Sequence, residues 1–313
     1  MTRLRFALAA VVAAALGATA CTRHNGTADD HAGHDSSPAA ATVTAVSSAS
    51  RDSVQQAADL PAGGADAQAR LAKSPRHGEW VMVKVGSDSV RAWVVYPQVS
   101  TKAPVVVVVH EIFGLTSWIR GVADQLAADG FIAIAPDLLT GKIAPNLDDS
   151  TLKAQGPALI ATLDPAIVQR NLDAVAQYAM ALPAAEKKYG IVGFCWGGGV
   201  SFAYDAHAGT SPQFGASVVY YGVPPKPDQL ANVHAPVLGL YGGTDARIAL
   251  TVPGTDSALK ALGRTYEHTI FPGAAHGFLR AQTQEDGSIM QANADATRQA
   301  WPATIAWFKK YLK

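Results

Sequence analysis

Cysteine is scarce in this chain: Cys21 and Cys195 are the only two among 313 residues, and they lie far apart. With no C-x-x-C motif and no ligand-spaced histidine pair on a predicted element, neither thiol redox exchange nor a metal centre is indicated, and no organic cofactor is implied. An excess of charge is also missing, since 25 Lys and Arg offset 25 Asp and Glu. That balance argues against nucleic acid as a partner and against a strongly basic membrane-facing surface. Nothing repeats along the chain. The N-terminal apolar run, Phe6 to Leu16, falls short of the roughly 20 residues that span a bilayer.

What the first twenty residues do contain is the order expected of a secretory signal: Arg3 and Arg5, then an alanine-rich run, then small residues at Ala18-Thr19-Ala20. The stretch "GATAC" resembles a bacterial lipobox, in which Cys21 would be lipidated and become the mature N-terminus; Ala18 stands where leucine is commoner. The alternative is ordinary cleavage before Cys21. Both imply export to the periplasm or cell envelope, the first with a lipid anchor. From Thr22 to about Arg76 the chain is rich in Ala, Ser, Thr, Asp and Gly and has no sustained apolar period, so it is expected to be a mobile tether. His24, His31 and His34 lie in that segment without anything to fix their geometry.

The texture changes near residue 77, where the folded domain is expected to begin. At 49% hydrophobic and 16% charged residues, the chain is rich enough in apolar side chains for one sizeable core. "EWVMVKV" and "VRAWVVYP" alternate and predict an antiparallel hairpin. "VVVVV", Val105 to Val109, is apolar at every position, as in a strand covered on both faces. Helices are predicted over Ser117 to Ala128, Ile167 to Ala181, Asp256 to Leu262 and Ala292 to Tyr311. Strands "FIAIAP", "IVGF", "ASVVYYG", "PVLGLYG" and "YEHTIF" alternate with them. The reading is a single α/β domain, residues 77–313, with a mainly parallel sheet and helices on both faces.

"GIVGFCWGGGVSF" places Cys195 between a strand and a helix, with Gly193 two residues before and Gly197 two after. Small residues at those places permit the sharp, strained turn of a nucleophile elbow, G-x-C-x-G-G, with sulfur where serine oxygen is usual. Taken alone, Cys195 reads as a small buried hydrophobe, Asp245 after "LGLYGGT" as a helix cap or turn residue, and His276 in "FPGAAHGF" as a surface loop residue. Their order, Cys195, Asp245, His276, each just after a strand, is the order of a nucleophile–acid–base triad in an α/β-hydrolase. Asp137 in "IAPDLL" also ends a strand but precedes the cysteine, and is read as a turn residue. A thiolate attacking an acyl carbon creates an oxyanion, for which the N–H of Trp196 and the N–H of Ile112 in "HEIFGL" are the candidate donors.

"HEIFGL", "APDLL", "GFCWGGG", "VVYYG", "YGGTD" and "AAHGFLR" occur in that order, and from about Gly78 to Lys313 the chain resembles the dienelactone hydrolase family of carboxymethylenebutenolidase-like α/β-hydrolases. The resemblance implies Cys195, Asp245 and His276 as triad and the Ile112 and Trp196 amides as oxyanion hole. It also implies that Glu111 contacts the resting thiol and is held by Arg280, and that an anionic substrate disturbs this pair. By itself Glu111 would read as a solvated loop residue. The chain departs from the family in one place: between Asp137 and Gln169, where family members supply a second carboxylate-binding arginine, there is none, only Lys142 and Lys153. Lysine brings the charge without the fork, which puts dienelactone itself in doubt. The expected activity is hydrolysis of small, plausibly anionic esters or lactones through a thioester. A non-catalytic exported binding protein on a hydrolase scaffold is the alternative, separable by whether an ester probe labels wild type but not Cys195→Ala.

Overall fold

The computed structural model describes residues 59–284 and 286–313. The signal segment, Cys21, the three linker histidines and the tether up to residue 58 therefore lie outside the described residues. Among the described residues no helix is long and apolar enough to cross a membrane.

In chain order the elements are α1 (Ala67–Leu71), β1 (Gly78–Val85), β2 (Asp88–Val95), β3 (Ala103–Val109), α2 (Ser117–Ala128), β4 (Ile132–Pro136), α3 (Asp149–Ile160) and α4 (Pro165–Ala181). They continue with β5 (Ala185–Phe194), α5 (Trp196–Ala208), β6 (Phe214–Tyr220), β7 (Val237–Gly242), α6 (Ala246–Ala249), α7 (Val252–Ala261), β8 (Tyr266–Phe271) and α8 (Gln291–Tyr311). A short 3-10 turn, Pro227–Asn232, lies between β6 and β7. The strands form one eight-stranded sheet in the order β1-β2-β4-β3-β5-β6-β7-β8. The β1–β2 and β2–β4 pairs are antiparallel, and every later pair is parallel. This is the α/β-hydrolase architecture expected from the sequence.

Strand β3 explains why the sheet is covered on both sides. Val106 and Val108 pack with Trp118, Ile119 and Val122 of α2 and with Trp301 and Phe308 of α8. Val105, Val107 and Val109 point the other way, into a cluster with Val168, Leu172 and Val175 of α4. All five are at most 1% exposed, and each such side chain contributes about 1.5–3 kcal/mol relative to an exposed one. Because β3, β5, β6, β7 and β8 run parallel, the loops after them open on one edge of the sheet, where the triad candidates lie.

Two sequence expectations need amendment. The folded body begins before residue 77: Leu60 and Ala67 are buried in the α2 cluster, Trp118 Nε1 donates to Ala62 O at 3.2 Å, and Arg76 grips Asp124 through Nε at 3.0 Å and Nη2 at 2.5 Å. A few well-placed apolar side chains and two arginines, Arg76 and Arg70, whose Nη2 donates to Gln125 Oε1 at 2.7 Å, dock this segment, although its average composition resembles a linker. Helix α3 was not foreseen. Its sequence carries Gly156 and Pro157, and only Gly156 and Ile160 are buried, so no apolar period announces it. Asp148 caps it, accepting from Thr151 N at 2.8 Å.

Candidate active site

Cys195 sits at the junction of β5 and α5 with φ 57° and ψ −117°, a left-handed conformation costly for any residue with a side chain. Its N–H donates to Tyr220 O at 3.1 Å, and its carbonyl accepts from Gly199 N at 3.2 Å, which holds the turn from both sides. The flanking glycines are required by close approach: a Cβ at Gly193 would lie 1.9 Å from Gly197 O, and one at Gly197 would lie 2.3 Å from His110 O.

His276 comes from the β8–α8 loop and Asp245 from the end of β7, where it precedes α6. His276 Nδ1 donates to Asp245 Oδ2 at 2.5 Å. The Asp245 side chain makes no capping bond to α6 although it occupies the cap position, so its carboxylate is committed to the imidazole rather than to the helix. With Nδ1 engaged, Nε2 is the nitrogen left to exchange a proton. Tyr221 packs edge-on to the ring, centroids 5.1 Å apart.

Around the sulfur, burial is the largest influence and pushes the Cys195 thiol above its ordinary range; the Glu111 carboxylate pushes the same way. The N–H groups of Trp196 and Ile112 face Sγ and oppose that shift, as does the charge of Arg247. The two expected oxyanion donors thus converge on the Cys195 sulfur. Glu111 is only 3% exposed. Arg280 Nε lies 3.0 Å from its Oε1 and donates to its Oε2 at 3.2 Å, while the guanidinium stands over Phe113. Burial raises the Glu111 pKa, with Arg280 and then Lys153 pulling it down.

Every domain residue singled out for chemistry in the sequence, Cys195, Asp245, His276, Glu111, Ile112, Trp196 and Arg280, falls at this one edge. Asp137 behaves as a turn residue, its Oδ1 accepting from Leu139 N at 3.1 Å. Lys142 is exposed in a turn. Three features escaped the sequence reading. Arg247 lies two residues past Asp245. Tyr221 has φ 41° and a buried hydroxyl without a hydrogen-bond partner. Arg91 and Arg120, from β2 and α2, join Asp137, Asn146 and Leu152 around a cavity of about 180 Å³, so the arginine-poor segment receives arginines in space. None of the three carries a local sequence signal.

Comparison with known proteins identifies the family. Residues 90–312 match the model of the dienelactone hydrolase family. A protein of Salmonella typhimurium named "Putative carboxymethylenebutenolidase" is 33% identical over 270 residues, covering 80% of this chain and 96% of the relative. One of the same name from Escherichia coli K12 is 35% identical over 219 residues, 66% of this chain and 77% of the relative. The crystal structure of a "Putative Dienelactone Hydrolase" from Klebsiella pneumoniae superposes with a TM-score of 0.62 at 32% identity, covering 75% of this chain and 99% of that one. Sheet order, elbow and these relatives converge on one conclusion: the chain belongs to the dienelactone hydrolase family.

Proposed function

We propose that this hydrolase cleaves small anionic esters or lactones through a thioester on Cys195. The observation that carries the reading is the 2.5 Å contact between His276 Nδ1 and Asp245 Oδ2, made at the same edge as an elbow thiol faced by two backbone amides. His276 Nε2 takes the thiol proton, and Asp245 stabilises the resulting imidazolium. Sγ attacks the acyl carbon; the carbonyl electron pair moves to oxygen, where the Trp196 and Ile112 N–H groups receive the negative charge. Collapse expels the alkoxide, which takes the proton from His276. Water, deprotonated by His276, then attacks the thioester, and the departing thiolate recovers its proton. Glu111 keeps the thiol protonated at rest by like-charge repulsion, and a substrate anion competes with it for Arg280.

The test is rapid quenching with an aryl ester followed by mass analysis. A transient acyl adduct on wild type, absent in Cys195→Ala, is expected; turnover without any adduct would replace the thioester by direct water attack.

For the segment outside the described residues, we propose export and lipidation at Cys21, on the lipobox-like "GATAC". Two acyl chains anchor stably where one does not. Detergent-phase partitioning that disappears in Cys21→Ala supports the anchor, and a mature form beginning at Cys21 without lipid removes it.

A further inference from the structure

We propose that His110 is a positioning residue for the oxyanion hole: its imidazole locks the Glu111–Ile112 peptide so that the Ile112 N–H stays turned toward the sulfur of Cys195. The inference rests on the thioester reading above and adds to it what holds one of the two donors in place.

His110 follows β3 directly and is fully buried. Its Nε2 accepts the Leu138 N–H at 3.2 Å. An imidazole nitrogen that accepts carries no proton, so in the neutral ring Nδ1 carries it, and Nδ1 donates to Glu111 O at 2.9 Å. That carbonyl belongs to the same peptide as the Ile112 N–H. In a planar trans peptide the C=O and N–H point in opposite directions, so gripping one fixes the aim of the other. A flip of this peptide would turn a carbonyl toward the place where negative charge develops, reversing the sign of the interaction.

His110 also touches the other half of the hole. Its ring stacks on the Trp196 indole, centroids 5.7 Å apart and planes 25° apart. Its own carbonyl lies against Gly197, where a Cβ would come within 2.3 Å of it. Burial depresses the His110 pKa, with the charge of Asp137 opposing, which favours the neutral ring that the two hydrogen bonds require.

Two variants separate the donor from the bulk. His110→Asn places an amide donor at the δ position, whereas His110→Gln keeps an acceptor at the ε position for Leu138 and has no δ donor. The expected result is a loss in kcat of about tenfold to a hundredfold in His110→Gln with KM nearly unchanged, largely recovered in His110→Asn. Affinity for an aryl trifluoromethyl ketone, whose hemithioketal with Cys195 bears an oxyanion, should fall in parallel. Alkylation by iodoacetamide, which forms no oxyanion but draws on the thiolate that the Ile112 N–H also favours, should fall in His110→Gln by much less than kcat and stay near the wild-type rate in His110→Asn. Equal kcat losses in the two variants, or alkylation falling as far as kcat, would overturn the proposal. Should wild type form neither an acyl adduct nor a ketone adduct, the thioester reading fails and the role of His110 in it fails with it. Where neither variant folds, imidazole ¹⁵N shifts of the wild-type protein decide: a protonated Nδ1 and bare Nε2, unchanged between about pH 6 and 8, are expected, and a protonated Nε2 refutes the grip on Glu111.

Discussion

Glu111 and Arg280 form an ion pair that solvent reaches from the arginine side: the carboxylate is 4% exposed, the guanidinium 29%, and Nε lies 3.0 Å from Oε1. An incoming anion can meet Arg280 without first displacing the buried carboxylate. Drawing Arg280 away leaves Glu111 with less compensation in a low-dielectric setting, where it takes up a proton more readily. On the proposed reading the repulsion it exerts on the thiol then weakens, so that substrate charge would promote formation of the Cys195 thiolate.

Replacing Glu111 by Gln removes that repulsion permanently. The sign follows from the thiol equilibrium: a neighbouring negative charge favours S–H, so its removal lowers the apparent pKa of Cys195 and enlarges the thiolate fraction at neutral pH. Glu111→Gln is expected to react faster with iodoacetamide than wild type at pH 7, with its rate–pH curve displaced to lower pH, and to oxidise sooner in air. Superimposable curves would remove Glu111 from the control of the thiol.

The proposed acid and base are tested by His276→Ala and Asp245→Asn. Both side chains lie on loops beyond strand ends, and the Asp245 carboxylate caps nothing, so thermal stability should change little. kcat is expected to fall by about a thousandfold or more, since an amide at 245 no longer fixes the imidazole tautomer. Near wild-type turnover in Asp245→Asn would mean that another carboxylate orients His276.

The elements that positioned these residues were legible wherever burial was one-sided or complete, because period and apolar runs record burial directly. Val105 to Val109, the Gly193 and Gly197 pair and the strand-end order of the triad are all local signals. Helix α3 and the Leu60 to Arg76 segment were not, since each is held by few contacts that composition averages away. Arg247, Arg91 and Arg120 were invisible for a different reason: each reaches its cluster across the fold from elements that say nothing about where a side chain will end.

The docked N-terminal segment yields a stability prediction. Gly64 N donates to Arg280 O at 2.8 Å and Gln282 Nε2 to Pro61 O at 3.1 Å, so the segment braces the stretch that carries Arg280. The reference is a chain beginning at Asp59. One beginning at His77 loses the burial of Leu60 and the Arg76–Asp124 pair, on the order of 3 kcal/mol, and should melt about 5–10 °C lower. Equal melting temperatures would show that the segment is bound without contributing.

Asp205 gives a pH signature away from the active site. It is fully buried, accepts from His234 N at 3.0 Å and Ala235 N at 3.1 Å, and burial pushes its pKa up to about 7. A carboxyl whose folded pKa exceeds its unfolded value, about 3.9, contributes stability that is complete below that value. The contribution is lost as pH rises toward 7, with a slope of up to about 1.4 kcal/mol per pH unit. Urea unfolding from pH 4.5 to 7.5 should therefore give wild type an advantage over Asp205→Asn that is largest at the acid end and shrinks toward neutrality. A constant difference would place the carboxyl in its ordinary range.

Substrate charge is the last test, and it turns on three cations that reach the site from separate elements. Arg280 holds Glu111 directly, Lys153 on α3 biases the same carboxylate, and Arg247 on α6 biases the thiol. Of these only Arg280 is positioned by a hydrogen bond to a buried partner, so it can offer a fixed, charge-assisted contact, whereas Arg247 is exposed and acts through its field. The two modes differ in their response to salt, because screening weakens a field between exposed charges more than a direct contact. With paired anionic and neutral aryl esters, Arg280→Ala is expected to lower kcat/KM for the anionic ester by about tenfold more than for the neutral one. Arg247→Ala and Lys153→Ala should give smaller selective losses that fade as salt rises toward about 1 M. Equal losses on both esters in Arg280→Ala would mean that the arginine serves Glu111 alone and that the site does not select for charge.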